Sequence, residues 1–296
     1  MPYQVAALLA AASWAVGAVI AANPAREMGG PRFTRLRMIY VSIMLLVAAT
    51  MTGGWESIAA GDLGLIAISA IVGLLIGDVA LFTAMAQIGP RRTGVLFTAN
   101  APMAAIGGVL LFGERFTPLS LLGAALTVGG IVLAVLFGTA RGDTHVFERI
   151  EGSMVSGVIW ATVGALGQAV GALAAKPVLD AGADTVAVAA ARAVIATVAL
   201  WIVARPTDRL VKPANRAPLN ARYHGILVIS GVFGMVIGMT LVLYALGHGD
   251  AGVTTILSAT TPVMLLPLIW VVSHRRPTFG AWVGAATTVV GTALLV

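Results

Sequence analysis

Asp78 stands inside a long apolar run, 64–86, where a carboxylate must find a partner, water or a proton. Two roles fit it: a proton-linked or amine-binding acid, or a neutral or ion-paired residue that fixes one helix against its neighbours. The corresponding place in the second half of the chain holds Met239, so any acid chemistry would be asymmetric. Phe82 follows Asp78 by one helical turn and can present a ring on the same face. Two arginines also fall within apolar runs. Arg37 is near the end of its run, where a long side chain can reach headgroups by snorkelling. Arg192 sits deeper and needs a partner; a backbone carbonyl or polar side chain is the expected one, ahead of a substrate.

A second set of candidates comes from polar or aromatic residues beside glycine and proline. Trp14 and Gln168 occupy equivalent places, each flanked by small residues at four-residue spacing, Ser13/Gly17 and Gly167/Gly171. Such spacing marks close helix crossings, so Trp14 and Gln168 are expected to project toward a central path. Trp160 precedes Gln168 by eight residues and can share its face. Asn100 and Thr260 each stand two residues before a proline, Pro102 and Pro262. A proline within a helix frees a carbonyl, and the freed carbonyls with the Asn or Thr could hold a polar headgroup or simply satisfy each other. Trp55 reads as part of an interfacial belt. The candidate substrate-binding set is therefore Trp14, Asp78, Phe82, Asn100, Trp160, Gln168, Met239 and Thr260.

The elements that must position these residues are membrane helices. The chain of 296 residues is 59% hydrophobic and 10% charged, against roughly a quarter charged in soluble domains. Its charges cluster between runs long enough to cross a hydrocarbon core about 30 Å thick. Ten spans follow, near 3–22, 35–53, 64–86, 92–112, 118–138, 153–175, 185–204, 223–246, 251–273 and 277–296. No Lys or Arg precedes Arg26, so the first span is expected to be a retained helix rather than a cleaved signal. Cysteine is absent, which excludes disulfides and thiolate chemistry.

The spans fall into two copies of one pattern. Gly73-Leu-Leu-Ile-Gly77 recurs as Gly234-Met-Val-Ile-Gly238, and Gly123-Ala-Ala-Leu-Thr-Val-Gly-Gly130 as Gly284-Ala-Ala-Thr-Thr-Val-Val-Gly291. Ser13–Gly17 answers Gly167–Gly171, Pro24 answers Pro177 and Pro102 answers Pro262. Five spans per copy is an odd number, so the copies insert in opposite orientations. Inverted repeats of this kind build transporters with the substrate path at the repeat interface. The expected organisation is a first repeat over 1–138, a polar linker over 139–152 and a second repeat over 153–296.

Charge sets the topology. Loops after odd-numbered spans, with their flanks, carry fifteen Lys and Arg residues, whereas loops after even-numbered spans carry only Arg115 and Lys176. Basic loops resist translocation, so the odd loops should be cytoplasmic and both termini extracytoplasmic. The same rule accounts for the net charge of +6 without nucleic acid. The basic 205–222 loop is read as a topology determinant, with anionic headgroups as a further partner.

Ten spans arranged as five plus five, Pro102 in the middle of span 4, Leu111-Phe-Gly-Glu114 at its end and the small-residue helix Gly123–Val132 resemble the drug/metabolite transporter superfamily, and within it the EamA-type permeases. The resemblance covers essentially the whole chain. The second copy departs from it, because His274 stands where a counterpart of Glu114 would fall. The resemblance implies an all-α polytopic protein that exports or exchanges small metabolites, with spans 1, 3, 4, 6, 8 and 9 lining a central cavity and spans 5 and 10 peripheral. Ten-helix members include exporters of amino acids, aromatic ones among them. Neutral or aromatic amino acids are the substrates it suggests; a multidrug exporter of organic cations and a nucleotide- or sugar-metabolite permease are the alternatives.

The remaining motif classes are silent. His145, His224, His248 and His274 lack metal-ligand spacing, and no Walker loop, dinucleotide fingerprint or nucleophile–base arrangement occurs. No cofactor, metal, nucleic acid or enzymatic activity is expected. The expected partners are a small-molecule substrate and the lipid bilayer, with proton-coupled and passive transport both open; a single chain holding both repeats should suffice as a monomer in an inner (plasma) membrane. Tags fused to either terminus should be accessible from the extracytoplasmic side of the membrane, and tags accessible only from the cytoplasm would contradict this topology.

Overall fold

A computed structural model of the protein describes residues 1–137, 153–203, 219–273 and 278–295. The linker 139–152, most of the basic 205–222 loop and the residues His145 and His274 lie outside the described residues. The protein is an all-α polytopic membrane protein. Its helices are α1 Tyr3–Met28, α2 Gly30–Thr52, α3 Ala60–Ile88, α4 in two pieces (Pro90–Phe97 and Asn100–Phe112), α5 Pro118–Leu136, α6 Met154–Asp180, α7 Thr185–Ile202, α8 Ala221–Leu246, α9 in two pieces (Ala251–Ser258 and Thr261–Ser273) and α10 Phe279–Ala293. Among the described residues nine helices are long and apolar enough to span a bilayer, and α10 is a shorter apolar helix.

Two boundaries differ instructively from the sequence reading. α2 begins at Gly30, five residues earlier than the expected start, because Gly29 takes φ 76° and turns the chain at once. Pro31 then fits the first turn, where its missing N–H costs nothing. Gly30 also lies against the α3 backbone, where an added Cβ would fall 2.5 Å from the Thr83 nitrogen. The second difference concerns Pro102 and Pro262. They do not kink continuous helices; α4 and α9 break just before them, and each proline sits in the first turn of a new piece. The carbonyls four residues upstream are satisfied locally, Thr98 O by the Ala101 amide at 3.1 Å and Ser258 O by Thr261 Oγ1 at 2.9 Å. The expected free carbonyls for a ligand are therefore not present at these prolines.

Residues equivalent between the two copies meet each other. Ser42 of α2 and its counterpart Thr197 of α7 share a hydrogen bond of 2.7 Å, and Thr197 also donates to Met38 O. In the same interface Arg35 lies over the Trp201 ring, so residue numbers rise along α2 as they fall along α7. α5 and α10 pair likewise. A Cβ on Gly130 would fall 2.5 Å from the Thr288 nitrogen, and Gly291 faces Thr127, the residue equivalent to Thr288. Contacts between equivalent residues on antiparallel helices place a pseudo-two-fold axis through both pairs, as opposed insertion of the two copies requires.

The glycines make this approach possible, since lipid gives helices no hydrophobic reason to associate and close packing must do so. Substituting Gly130 with Leu should cost about 1–3 kcal/mol through overpacking, read as a lower midpoint of thermal unfolding in detergent. Gly129→Leu, where no atom lies within 4 Å, is the control and should leave the midpoint unchanged. Equal effects of the two would contradict the assigned interface.

Candidate functional site

The repeated glycine motifs fold as π-helix. Ser69–Asp78 within α3 and Val232–Ile237 within α8 both take the wider i→i+5 form, which is frequent at functional sites. Each π-segment is crossed by a helix from the other copy at a glycine. A Cβ on Gly171 of α6 would fall 2.7 Å from Gly73 Cα, and one on Gly17 of α1 would fall 3.2 Å from the Gly234 nitrogen. Side chains beside those crossings donate to the π-segment carbonyls. Gln168 Nε2 donates to Gly73 O at 3.2 Å, and its counterpart Trp14 donates through Nε1 to Gly234 O at 2.7 Å. Ser13 Oγ donates to Phe233 O at 2.6 Å, and in the opposite sense Ser69 Oγ of the α3 π-segment donates to Gly171 O of α6 at 2.5 Å. Trp14 and Gln168 thus join the two copies at equivalent points.

Asp78 ends the α3 π-segment and gathers charge around it. Its Oδ2 accepts from Arg37 Nη2 at 2.8 Å and its Oδ1 from Gln168 Nε2 at 2.8 Å. The Arg37 guanidinium also stands 4.6 Å from the Phe82 ring centroid and 5.6 Å from that of Phe33, and the two rings pack at 5.1 Å. Arg37 is 4% exposed. It does not snorkel to the headgroups: the early start of α2 carries it two turns into the helix, roughly 10 Å along the axis, where Asp78 is the group it reaches. Asp78, Gln168 and Phe82 thereby form one cluster with Arg37.

Arg192 of α7 is the third buried charge in this region. It is 4% exposed, its Nη2 lies beside Gly73 of the α3 π-segment, and it acts electrostatically on Asp78. Met239 is buried in the apolar cluster that also contains Ala189 and Ala193 of α7. Asn100 and Thr260 lie at the helix breaks of α4 and α9. Thr260 Oγ1 is occupied by Leu257 O at 2.7 Å, whereas the buried Asn100 Oδ1 has no hydrogen-bond partner. No hydrogen bond links these two to the Asp78 cluster among the described residues. Trp160 is partly buried on α6.

The sequence reading placed Arg37 at the headgroups and left it outside the candidate set, along with Arg192. The signal that could have joined them was charge at similar depth: one acid and two arginines within apolar spans cannot all be left alone in lipid. A second device lies on the face carrying the even-numbered connections. Both Glu114 oxygens accept from the start of α9, from Ala251 N at 2.5 Å and Gly252 N at 3.0 Å, as a carboxylate should at a helix N-terminus. Lys176 Nζ meets Asp180 at 3.0 Å, Gly249 O at 3.0 Å and Leu246 O at 3.2 Å, tying α6 to the end of α8.

Comparison with known proteins agrees with this architecture. A solved structure described only as a crystal structure of a protein superposes with a TM-score of 0.75, at 18% identity, over 99% of this chain and 95% of that one. At that identity the likeness speaks for the fold alone. No match was found among curated proteins. The family model for EamA-like transporters matches residues 1–136 and again 155–296, one match on each copy of the internal pattern. With its two glycine-crossed π-segments and nearly its whole length matched, the chain belongs to the EamA-like transporter family.

Proposed function

We propose that this membrane transporter is a secondary exporter of small metabolites, neutral and aromatic amino acids foremost, working by alternating access in an inner membrane. The observation that carries the reading is the pair of π-segments, each crossed at glycine by a helix of the other copy and each bonded there by an equivalent donor. Glycine crossings bring helix backbones of the two copies into close contact, and π-segments are frequent at functional sites. Rocking of one copy against the other about these crossings would open the region around Asp78 to one face and then the other. On the same reading Trp14, Asp78, Phe82, Asn100, Trp160, Gln168, Met239 and Thr260 face or border the path, the termini lie outside and one chain suffices.

The charge around Asp78 argues against an organic-cation exporter. Both Asp78 oxygens are taken, by Arg37 and Gln168, and a second arginine, Arg192, stands near without pairing to it. A cation entering there meets net positive charge in a weakly screening setting.

Purified protein in liposomes should show saturable counterflow of one or more neutral or aromatic amino acids, and little with cationic drugs. Flux of none of a broad metabolite panel would contradict the reading. Asp78→Asn should strand the Arg37 charge and destabilise the protein by about 3–5 kcal/mol. Adding Arg37→Gln should recover much of that stability while counterflow stays low. Full recovery of counterflow with stability would make the pair scaffold only.

A further inference from the structure

The two copies treat their intramembrane arginines differently. Arg37 and Arg192 hold equivalent places: a Cβ on Gly234 would fall 3.2 Å from Arg37 Nη1, and one on the matching Gly73 would fall 3.3 Å from Arg192 Nη2. Around Arg37 the protein supplies the Asp78 carboxylate and the faces of Phe33 and Phe82. At the three equivalent positions around Arg192 stand Met239, Val188 and Leu243, all buried and all aliphatic or thioether. Every group that compensates Arg37 has been replaced by one that cannot compensate Arg192.

Asp78 does not fill the gap. One of its oxygens serves Arg37 and the other Gln168, so it attracts Arg192 only at a distance. The Arg192 Nε has no hydrogen-bond partner, and its guanidinium makes no salt bridge among the described residues. A guanidinium cannot shed its charge by losing a proton, and an unpaired charge in such a place costs several kcal/mol. An intramembrane ionisable residue left in this state is by default a functional-site candidate, and the natural partner of a guanidinium is an anion. The residue in the acid's place is also suited to yielding room, because Met is unbranched and readily changes rotamer.

We propose that Arg192 is the docking point for the carboxylate of the transported molecule, which occupies against Arg192 the place that Asp78 occupies against Arg37. The site is a one-sided copy of an ion pair, with the missing half supplied by the cargo. A bound carboxylate brings the group of two arginines and one aspartate to neutrality. The ligand class is a small monocarboxylate, amino acids included, and removal of the negative charge by esterification should be the change that binding tolerates least. This rests on the transporter reading for the word cargo; the anion site itself can be read by binding alone.

The test uses the purified full-length protein and calorimetric binding of phenylalanine, 3-phenylpropionate and hexanoate, each beside its methyl ester. At least one acid should bind about tenfold or more tightly than its ester. Arg192→Gln should reduce that acid to the level of its ester. Met239→Glu should do the same by filling the site with a built-in carboxylate, while keeping or raising the unfolding midpoint, and it stands as the test should Arg192→Gln not fold. A structural Arg192 would instead lower stability and leave the acid–ester gap in place. Binding of none of the three acids, or a gap that persists in Met239→Glu, overturns the proposal. An acid–ester gap that behaves as expected, with no counterflow in liposomes, would retain the anion site and sink the transporter reading.

Discussion

A charge buried in a bilayer must be answered by another group, and in this protein one answer organises much of the interior. The Arg37–Asp78 pair ties α2 to α3, and the second oxygen of the same carboxylate ties α3 to α6 through Gln168. Three helices from both copies thus meet at a single side chain. The pair lies at the end of a π-segment, where the wider backbone and its glycines admit Gly171 of α6 close enough for Gln168 to reach both Asp78 and Gly73 O. Loss of the glycines would push α6 away, and loss of Asp78 would leave Arg37 as an unanswered charge. A buried ion pair need not add stability over an apolar replacement. Its effect here is to specify which helix faces meet.

The second copy repeats the backbone solution without the ionic one. Gly17 crosses Gly234 and Trp14 donates to its carbonyl, as Gly171 and Gln168 do at Gly73. The indole satisfies the π-segment but has no acid to meet beyond it, because Met239 stands where Asp78 would be. Backbone needs are identical in the two copies and are met by interchangeable donors. Charge is not repeated, so the pseudo-two-fold frame encloses a polar region with a direction.

Glycine and proline made the frame legible from sequence: the spacing of Gly73/Gly77 and Gly234/Gly238 marked the crossings, and an odd number of spans per copy required inversion. The π form of these segments was not legible, because it depends on what packs against the backbone and not on the glycines alone. The prolines misled for a related reason. Pro102 and Pro262 look internal to long apolar runs, yet each sits in the first turn of a new helix piece, where a missing N–H costs little. Arg37 misled through a boundary: five residues of extra helix at Gly30 moved it from the headgroup region to Asp78. Equivalence of Arg37 and Arg192 was visible in the sequence, but the contrast between their surroundings needs Phe33, Asp78 and Phe82 placed around one guanidinium in three dimensions.

Unequal charge on a symmetric frame is where the proposed cargo site lies. The most direct measurement is a structure of the protein with phenylalanine bound. The ligand carboxylate is expected within hydrogen-bond distance of the Arg192 guanidinium, with Asp78 still paired to Arg37. A ligand bound elsewhere, with Arg192 turned onto Asp78, would contradict it.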